Sequence, residues 1–289
     1  GQLWQPNGLV ANNFSIFIVD TGNHRIQKLR LHNLTIMRTI GSYGDRGDQF
    51  RFPRAAALLN GTLYVTDSSN HRVSMFWSYR LSPRGVFGRR GDSPGELSYP
   101  EGITTYNDEV YVVDSGNDRI SVFNEDGVFQ RAFGDEGESP GQFSLPMGII
   151  AFKGRLFVTE FYGKRLQELT FSGTPLQTVP MGHVGGLTGL CAVERVSDRT
   201  TAPPMSTLYV VDAEFHVVHT LAVSVQTPES KRRKGSHSSH HHSRSSSSSS
   251  RSSSSNQASH RPLVYSRLES LLEGVVVPTK GHKHHHRRR

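Results

Sequence analysis

Cysteine is almost missing from this chain. Cys191 is the only one in 289 residues, so an intrachain disulfide, a cysteine-based zinc site and a dithiol redox pair are all excluded. No apolar run reaches membrane-spanning length. Gly-x-Ser-x-Gly elbows, phosphate-binding glycine loops and zinc motifs are also absent. A net charge is missing from most of the chain. The formal total is +8, yet residues 1–225 hold 20 Lys+Arg and 22 Asp+Glu, a net of −2. Residues 226–289 hold 13 and 3, a net of +10. The basic balance therefore belongs to the tail. Such a tail suits acidic partners, and a solvated segment without a dedicated partner is the favoured reading.

What is present is a repeat. Residues 111–123 run apolar into Asp114, turn through Ser115-Gly116-Asn117, and leave from Arg119 as a second apolar run. This spells a β-hairpin, with Gly and Asn expected to take the positive φ of the turn. The same hairpin stands around Asp20 and Asp67. It recurs in weaker form around Glu160 and in degraded form around Asp212. The first four of these acids step by 47, 47 and 46 residues, as do Pro6, Pro53, Pro100 and Pro146. An apolar-Gly pair and a Gly-x-apolar-x-x-Pro exit close the units, as in Gly95–Pro100 and Gly141–Pro146. Gly1–Pro6 matches that exit, so an earlier repeat is expected upstream and the chain is expected to be a fragment of a longer protein.

A unit of about 46 residues with room for four short strands indicates a β-propeller blade. A helical solenoid is excluded because Gly, Pro and Asn interrupt the chain every ten or so residues. The reading is all-β, with repeats 6–52, 53–99, 100–145 and 146–187 and a degraded fifth over 188–225. It expects four complete blades plus an incomplete fifth in an open, unclosed arc. An insert over residues 194–206 separates the first two strands of the fifth.

Pro-x-Gly-Ile, Val-Asp-Ser-Gly-Asn-Asp-Arg-Ile and the Gly-rich exit resemble the NHL-repeat family. The Asn-His-Arg of the first two repeats comes nearest its hallmark. The resemblance covers about residues 1–223. It implies a non-enzymatic propeller that presents a loop face to a protein partner. The alternatives it carries are single-stranded RNA binding by that face with the basic tail, and the substrate-recognition part of a ubiquitin ligase whose catalytic region is absent here. A cytoplasmic or nuclear location is the corresponding expectation.

Asp20, Asp67, Asp114, Glu160 and Asp212 are read as structural repeat positions that cap turn amides. The residues after them, Asn23, His24, Arg25, Asn70, His71, Arg72, Asn117, Asp118, Arg119, Lys164 and Arg165, are placed near one face as candidate partner contacts. The Arg residues also serve the blades through an Asp. Arg89, Arg90 and Tyr43 are additions outside the repeat. His24, His71 and His216 share one repeat position, which raises a metal-dependent peptidyl-hydroxyglycine-type lyase. The reading rejects it because Asp118 and Lys164 interrupt the series and turns on different blades lie too far apart. The axis, drawn along residues 9–11 and 103–105, shows no carboxylate cluster. No catalytic residue, cofactor or metal is therefore expected.

Beyond residue 225 the composition changes. Residues 226–262 are Ser/His/Arg-rich and too polar to offset ordering entropy, which predicts disorder. Residues 263–277 carry apolar residues near helical spacing, which predicts a short amphipathic helix. That segment alone has the apolar content to return to the open edge. Residues 278–289 form a basic His/Arg tail.

Overall fold

The computed structural model describes residues 2–182, 184–194, 206–223 and 275–276. It is a β-propeller of five four-stranded sheets, each an antiparallel meander. The first blade comprises β1 (Pro6–Ala11), β2 (Ser15–Asp20), β3 (Arg25–Arg30) and β4 (Ile36–Ile40). The second comprises β5 (Pro53–Leu59), β6 (Thr62–Asp67), β7 (Arg72–Trp77) and β8 (Ser82–Phe87). The third comprises β9 (Pro100–Tyr106), β10 (Glu109–Asp114), β11 (Arg119–Asn124) and β12 (Phe129–Phe133). The fourth comprises β13 (Pro146–Phe152), β14 (Arg155–Glu160), β15 (Arg165–Leu169) and β16 (Pro175–Pro180). The fifth holds β17 (Leu187–Glu194), β18 (Ser206–Asp212), β19 (Val217–Val223) and β20 (Val275–Val276).

The fifth blade differs from its expected incompleteness. Val276 and Val275 pair antiparallel with Val217 and Val218 and supply a fourth strand from the far end of the chain. The sequence reading ended a helix on this pair; here it is strand. The insert beyond Glu194, the span 226–262, residues 263–274 and the terminal tail lie outside the described residues.

Each hairpin keeps the acid opposite the arginine: Asp20 faces Arg25, Asp67 faces Arg72, Asp114 faces Arg119 and Glu160 faces Arg165. The turn between them corrects one expectation. Residues 21–23, 68–70 and 115–117 form a single 3-10 turn. The positive φ falls on the next residue, at His24, His71 and Asp118 and equally at Lys164 and His216. Gly116 serves close approach instead, since a methyl there would lie 2.6 Å from Ser98 Oγ.

The core sits between blades. Phe17, Val19 and Ile26 of the first blade pack with Leu63, Val65 and Phe76 of the second. Equivalent clusters fill the next three seams. A blade flanked on both sides buries both sheet faces, so β6 is buried along its whole length. β2 alternates between buried and half-buried residues because only one of its faces is covered. Polar pins cross the seams as well. Lys28 Nζ donates to the carbonyls of Ser78 and Tyr79 at 2.9 and 2.8 Å. Tyr64 Oη donates to Glu125 O at 2.7 Å, and Arg131 reaches Phe171 O at 3.1 Å.

The arc is open. The inner strands pack in the order β1, β5, β9, β13, β17, and β17 makes no comparable packing with β1. Small residues let these backbones meet. A methyl on Gly102 would lie 2.5 Å from Met147 O, and one on Gly148 would lie 2.5 Å from Thr188 O. On Gly189, at the free end, it would meet only the Val211 side chain. At the other free end Leu9 is 66% exposed, although its counterparts in the flanked blades lie within the seams.

Candidate functional site: the turn face

Every 3-10 turn lies at the same end of its blade as the loop that leaves for the next. These exit loops, residues 41–52, 88–99 and 134–145, are gripped from both sides. From the following blade, Asp67 Oδ1 accepts the Arg51 N–H at 2.7 Å, and Oδ2 accepts Asn70 Nδ2 and Arg72 Nε, each at 2.8 Å. Arg72 then donates to the loop carbonyls of Asp45, Arg46 and Gln49 at 2.6, 2.8 and 3.0 Å. Asn70 reaches Gly44 O at 2.8 Å. The third blade repeats this. Asp114 accepts from Ser98 N–H, Asn117 and Arg119. Arg119 holds Asp92 O and Glu96 O. In the first blade Asp20 accepts the Trp4 N–H at 2.7 Å, while Asn23 and Arg25 reach Gln2 O.

The fourth blade departs from the pattern and compensates for it. Glu160 replaces Asp and Gly163 replaces Asn. A methyl on Gly163 would lie 2.3 Å from Glu160 Oε2, so the longer carboxylate occupies the space the Asn side chain vacates. Arg165 Nε donates to Glu160 Oε1 at 2.7 Å and reaches the loop at Glu138 O and Gln142 O. Gln167 supplies the missing amide, also at 2.7 Å from Glu160. In the fifth blade, where no Arg stands, Asp212 accepts four backbone N–H groups, from Gly185, Gly186, Glu214 and Phe215. Burial raises its carboxyl, but those four bonds outweigh it and hold it below the ordinary range. Asp67 and Asp114, flanked by blades on both sides, are instead pushed up by burial.

From the preceding blade, the left-handed residue after each turn grips the loop's end. His24 Nδ1 accepts the Phe52 N–H at 3.2 Å and His71 Nδ1 accepts the Tyr99 N–H at 3.2 Å. Asp118 Oδ1 accepts the Leu145 N–H at 2.7 Å. Lys164 cannot accept through its side chain; its carbonyl takes the Met181 N–H directly after β16, at the start of the loop instead of its end. Phe52, Tyr99 and Leu145 each sit at positive φ directly before a proline, a costly backbone that these bonds fix in place. Both rings bond through an unprotonated Nδ1. Burial depresses His24 and His71, with Arg90 adding to the effect at His71.

The Asn and Arg side chains of the hairpins are thus turned into the loops, along with both histidines. Six aromatics project from this face: Trp4, Tyr43, Phe52, Tyr99, Tyr162 and Phe215 are all exposed. His24 packs edge-on to Tyr43 and Phe52 at 5.1 and 4.7 Å, His71 packs on Tyr99 at 4.4 Å, and Arg51 lies over Tyr43. Phe52 and Tyr99 are not among the candidates that the repeat suggests. The signal in the sequence is the residue just before the opening proline, which changes from unit to unit within an otherwise fixed exit. Charge varies along the same face. The first two exit loops expose both signs, Asp45, Arg46 and Asp48 on one and Arg89, Arg90 and Asp92 on the other, while the third exposes Asp135, Glu136 and Glu138.

On the axis the inner strands line a cavity of about 440 Å³ that is open to solvent. It is lined by the starts of those strands, at the turn-face end. Arg54 and Glu101 line it and pair at 3.3 Å. Both stand two residues before the repeat positions, 9–11 and 103–105, from which the sequence locates the axis.

Fold and face together define a β-propeller whose repeat residues are spent on holding loops. The chain carries an NHL repeat: that family's model matches residues 50–76. No curated protein matches the chain. Among solved structures it is similar to a chain of a nidogen/laminin complex, at 21% identity, TM-score 0.56 and 75% coverage of each chain. It is also similar to Kuenenia stuttgartiensis hydrazine synthase, at 14% identity and TM-score 0.53, covering 77% of this chain and 67% of that one. A streptogramin B lyase structure matches at 14% identity and TM-score 0.52, with 77% and 70% covered. At these identities the likeness concerns the propeller fold. Among the described residues no helix is long and apolar enough to cross a membrane.

Proposed function

We propose that this propeller is a non-enzymatic scaffold whose turn face binds a protein partner. The observation that carries the reading is the exposed aromatic set on that face, held by side chains whose own donors are already used. Large, rigid aromatics supply contact area at low entropic cost and are enriched at protein interfaces. Loops that expose charges of both signs beside an acidic one favour a partner of mixed charge over a polyanion, which would meet Asp135, Glu136 and Glu138.

The test is affinity capture on the full chain, with and without ribonuclease. A Tyr43→Ala/Phe52→Ala/Tyr99→Ala variant is compared with Phe14→Ala/Tyr79→Ala, which alters exposed aromatics away from this face. Proteins retained by wild type and by the second variant, but lost from the first, support the reading. Equal retention by both variants refutes it. Retention that vanishes with ribonuclease and falls steeply with salt would instead identify RNA as the ligand.

A further inference from the structure

The end of the propeller opposite the turn face carries side chains that the repeat does not explain. Two-residue turns join the first and second strands of the second, third and fourth blades, and their second residues are Gly61, Asp108 and Gly154. The first blade puts Phe14 in that place, 79% exposed. Its carbonyl accepts the Leu31 N–H at 3.0 Å, as that of Gly61 accepts the Ser78 N–H at 2.9 Å. Asn12 Oδ1 fixes the tip by accepting the N–H groups of Phe14 and Ser15 at 3.0 and 2.9 Å. Leu31 and Met37 are exposed beside it. The three line an apolar recess of about 330 Å³ that Arg30 also borders. Across the seam Lys28 Nζ holds the β7–β8 turn by the carbonyls of Ser78 and Tyr79, and the Tyr79 ring stands 86% exposed.

Charge at these tips has one sign. No Asp or Glu occurs in residues 1–19, 21–44 or 68–91. Arg30, Arg38 and Arg80 are exposed, and among the described residues no acid pairs with them. The acids at this end belong to the third blade, as Asp108, Glu125 and Asp126.

This arrangement selects among partners. Exposed apolar patches of this kind mark interaction sites. Apolar side chains on separate hairpin tips at one end can reach a flat surface together, and their only charged neighbours are cations. A bilayer containing acidic lipids offers what both need. Acyl chains take up Phe14, Leu31 and Met37, anionic head groups meet the arginines, and the interfacial zone suits a tyrosine. The acidic tips of the third blade are repelled by the same surface, which tilts the molecule onto its first two blades.

We propose that the tips of the first two blades dock this propeller peripherally on an anionic membrane surface. The turn face, at the other end, then points away from the bilayer.

The experiment is co-sedimentation of the full chain with vesicles of phosphatidylcholine alone or mixed in equal parts with phosphatidylserine. The segment over 226–289 is itself basic, so contact at the tips is read separately. The chain has two tryptophans. Trp77 ends β7 just before Ser78 and Tyr79, while Trp4 lies on the turn face. In a Trp4→Phe background, quenching by brominated phosphatidylcholine therefore reports on this end alone. Wild type is expected to sediment with the mixed vesicles, and Trp77 is expected to be quenched there. Phe14→Asp/Leu31→Asp/Tyr79→Asp is expected to weaken vesicle binding at least about tenfold and to abolish the quenching. Arg30→Gln/Arg38→Gln/Arg80→Gln is expected to weaken binding to the mixed vesicles at least about tenfold. Thermal melts establish that each variant is folded. Binding undiminished by the triple Asp substitution, or Trp77 unquenched in sedimented protein, would overturn the proposal and assign attachment to the basic segment. Absence of vesicle binding would overturn it too. A soluble protein captured by wild type but lost from the triple Asp variant would then identify these tips as a protein surface. None of these outcomes decides the turn-face reading, whose aromatic variant leaves the tips intact.

Discussion

Arg72→Ala removes the grip of the second blade on the loop that enters it. The side chain is mostly buried, at 12% exposure, and its Asp67 partner is fully buried. Four hydrogen bonds are lost, one to the carboxylate and three to loop carbonyls. The carbonyls lie near the surface and are rehydrated, so their loss costs little. Asp67 is not rehydrated and keeps only Asn70 and the Arg51 N–H. Hydrogen bonds to charged groups contribute about 1.5–3 kcal/mol, and breaking a buried pair from one side costs about 3–5 kcal/mol. A loss of about 3 kcal/mol is expected, which for a domain of this size lowers Tm by roughly 6–12 °C. The sign of its pH dependence is also fixed. Burial already raises Asp67 above its unfolded value, and removing the guanidinium raises it further. The folded variant then takes up a proton that its unfolded chain does not, so its stability rises as pH falls through that raised value. Thermal melts by circular dichroism should therefore show the gap between wild type and Arg72→Ala narrowing from pH 7 towards pH 5. Adding Asp67→Asn to Arg72→Ala should recover part of the loss at pH 7. An Arg72→Ala variant that melts like wild type, or a gap that widens on acidification, would refute this account of the latch.

Arg25→Ala, in the blade with one free face, should cost less, about 1–2 kcal/mol in the same melts, because Arg25 is nearly twice as exposed and, beside Asp20, holds one carbonyl, Gln2 O, where Arg72 holds three. His24 and His71 are depressed by burial and accept through Nδ1, so their stabilisation is complete above about pH 6.5 and is lost as pH falls through their lowered values. A His24→Asn/His71→Asn variant, which keeps an acceptor in place, should lose less Tm than wild type between pH 7 and pH 5.5. Gly148→Ala should cost about 1–3 kcal/mol of stability in urea melts, because its methyl meets the Thr188 carbonyl. Gly189→Ala, at the free end of the arc, should cost less than half as much.

The period, the hairpins and the class of fold were legible in the chain because each rests on neighbours in sequence. Asp67 and Arg72 pair within one hairpin, and Pro53, Pro100 and Pro146 open strands by their own fixed φ. The fourth unit shows where that legibility ended. Glu160 and Gly163 read as decay, while in space one fills the gap left by the other and Gln167 completes the set. The direction of each grip was equally hidden. Arg72 reaches carbonyls 23–27 residues away and His24 an amide 28 residues away, and no local pattern encodes which loop lies on which side. Phe52 and Tyr99 came to the surface because a proline and a histidine together hold their backbone at positive φ. The pairing of Val275 and Val276 with the fifth blade joins segments with a long span of polar sequence between them. Arg54 and Glu101 stand 47 residues apart in unlike units and meet only because adjacent blades bring their inner strands to one axis. Local chemistry built the blade; the packing of one blade on the next decided which side chains were spent inside and which were left at the axis and on the face.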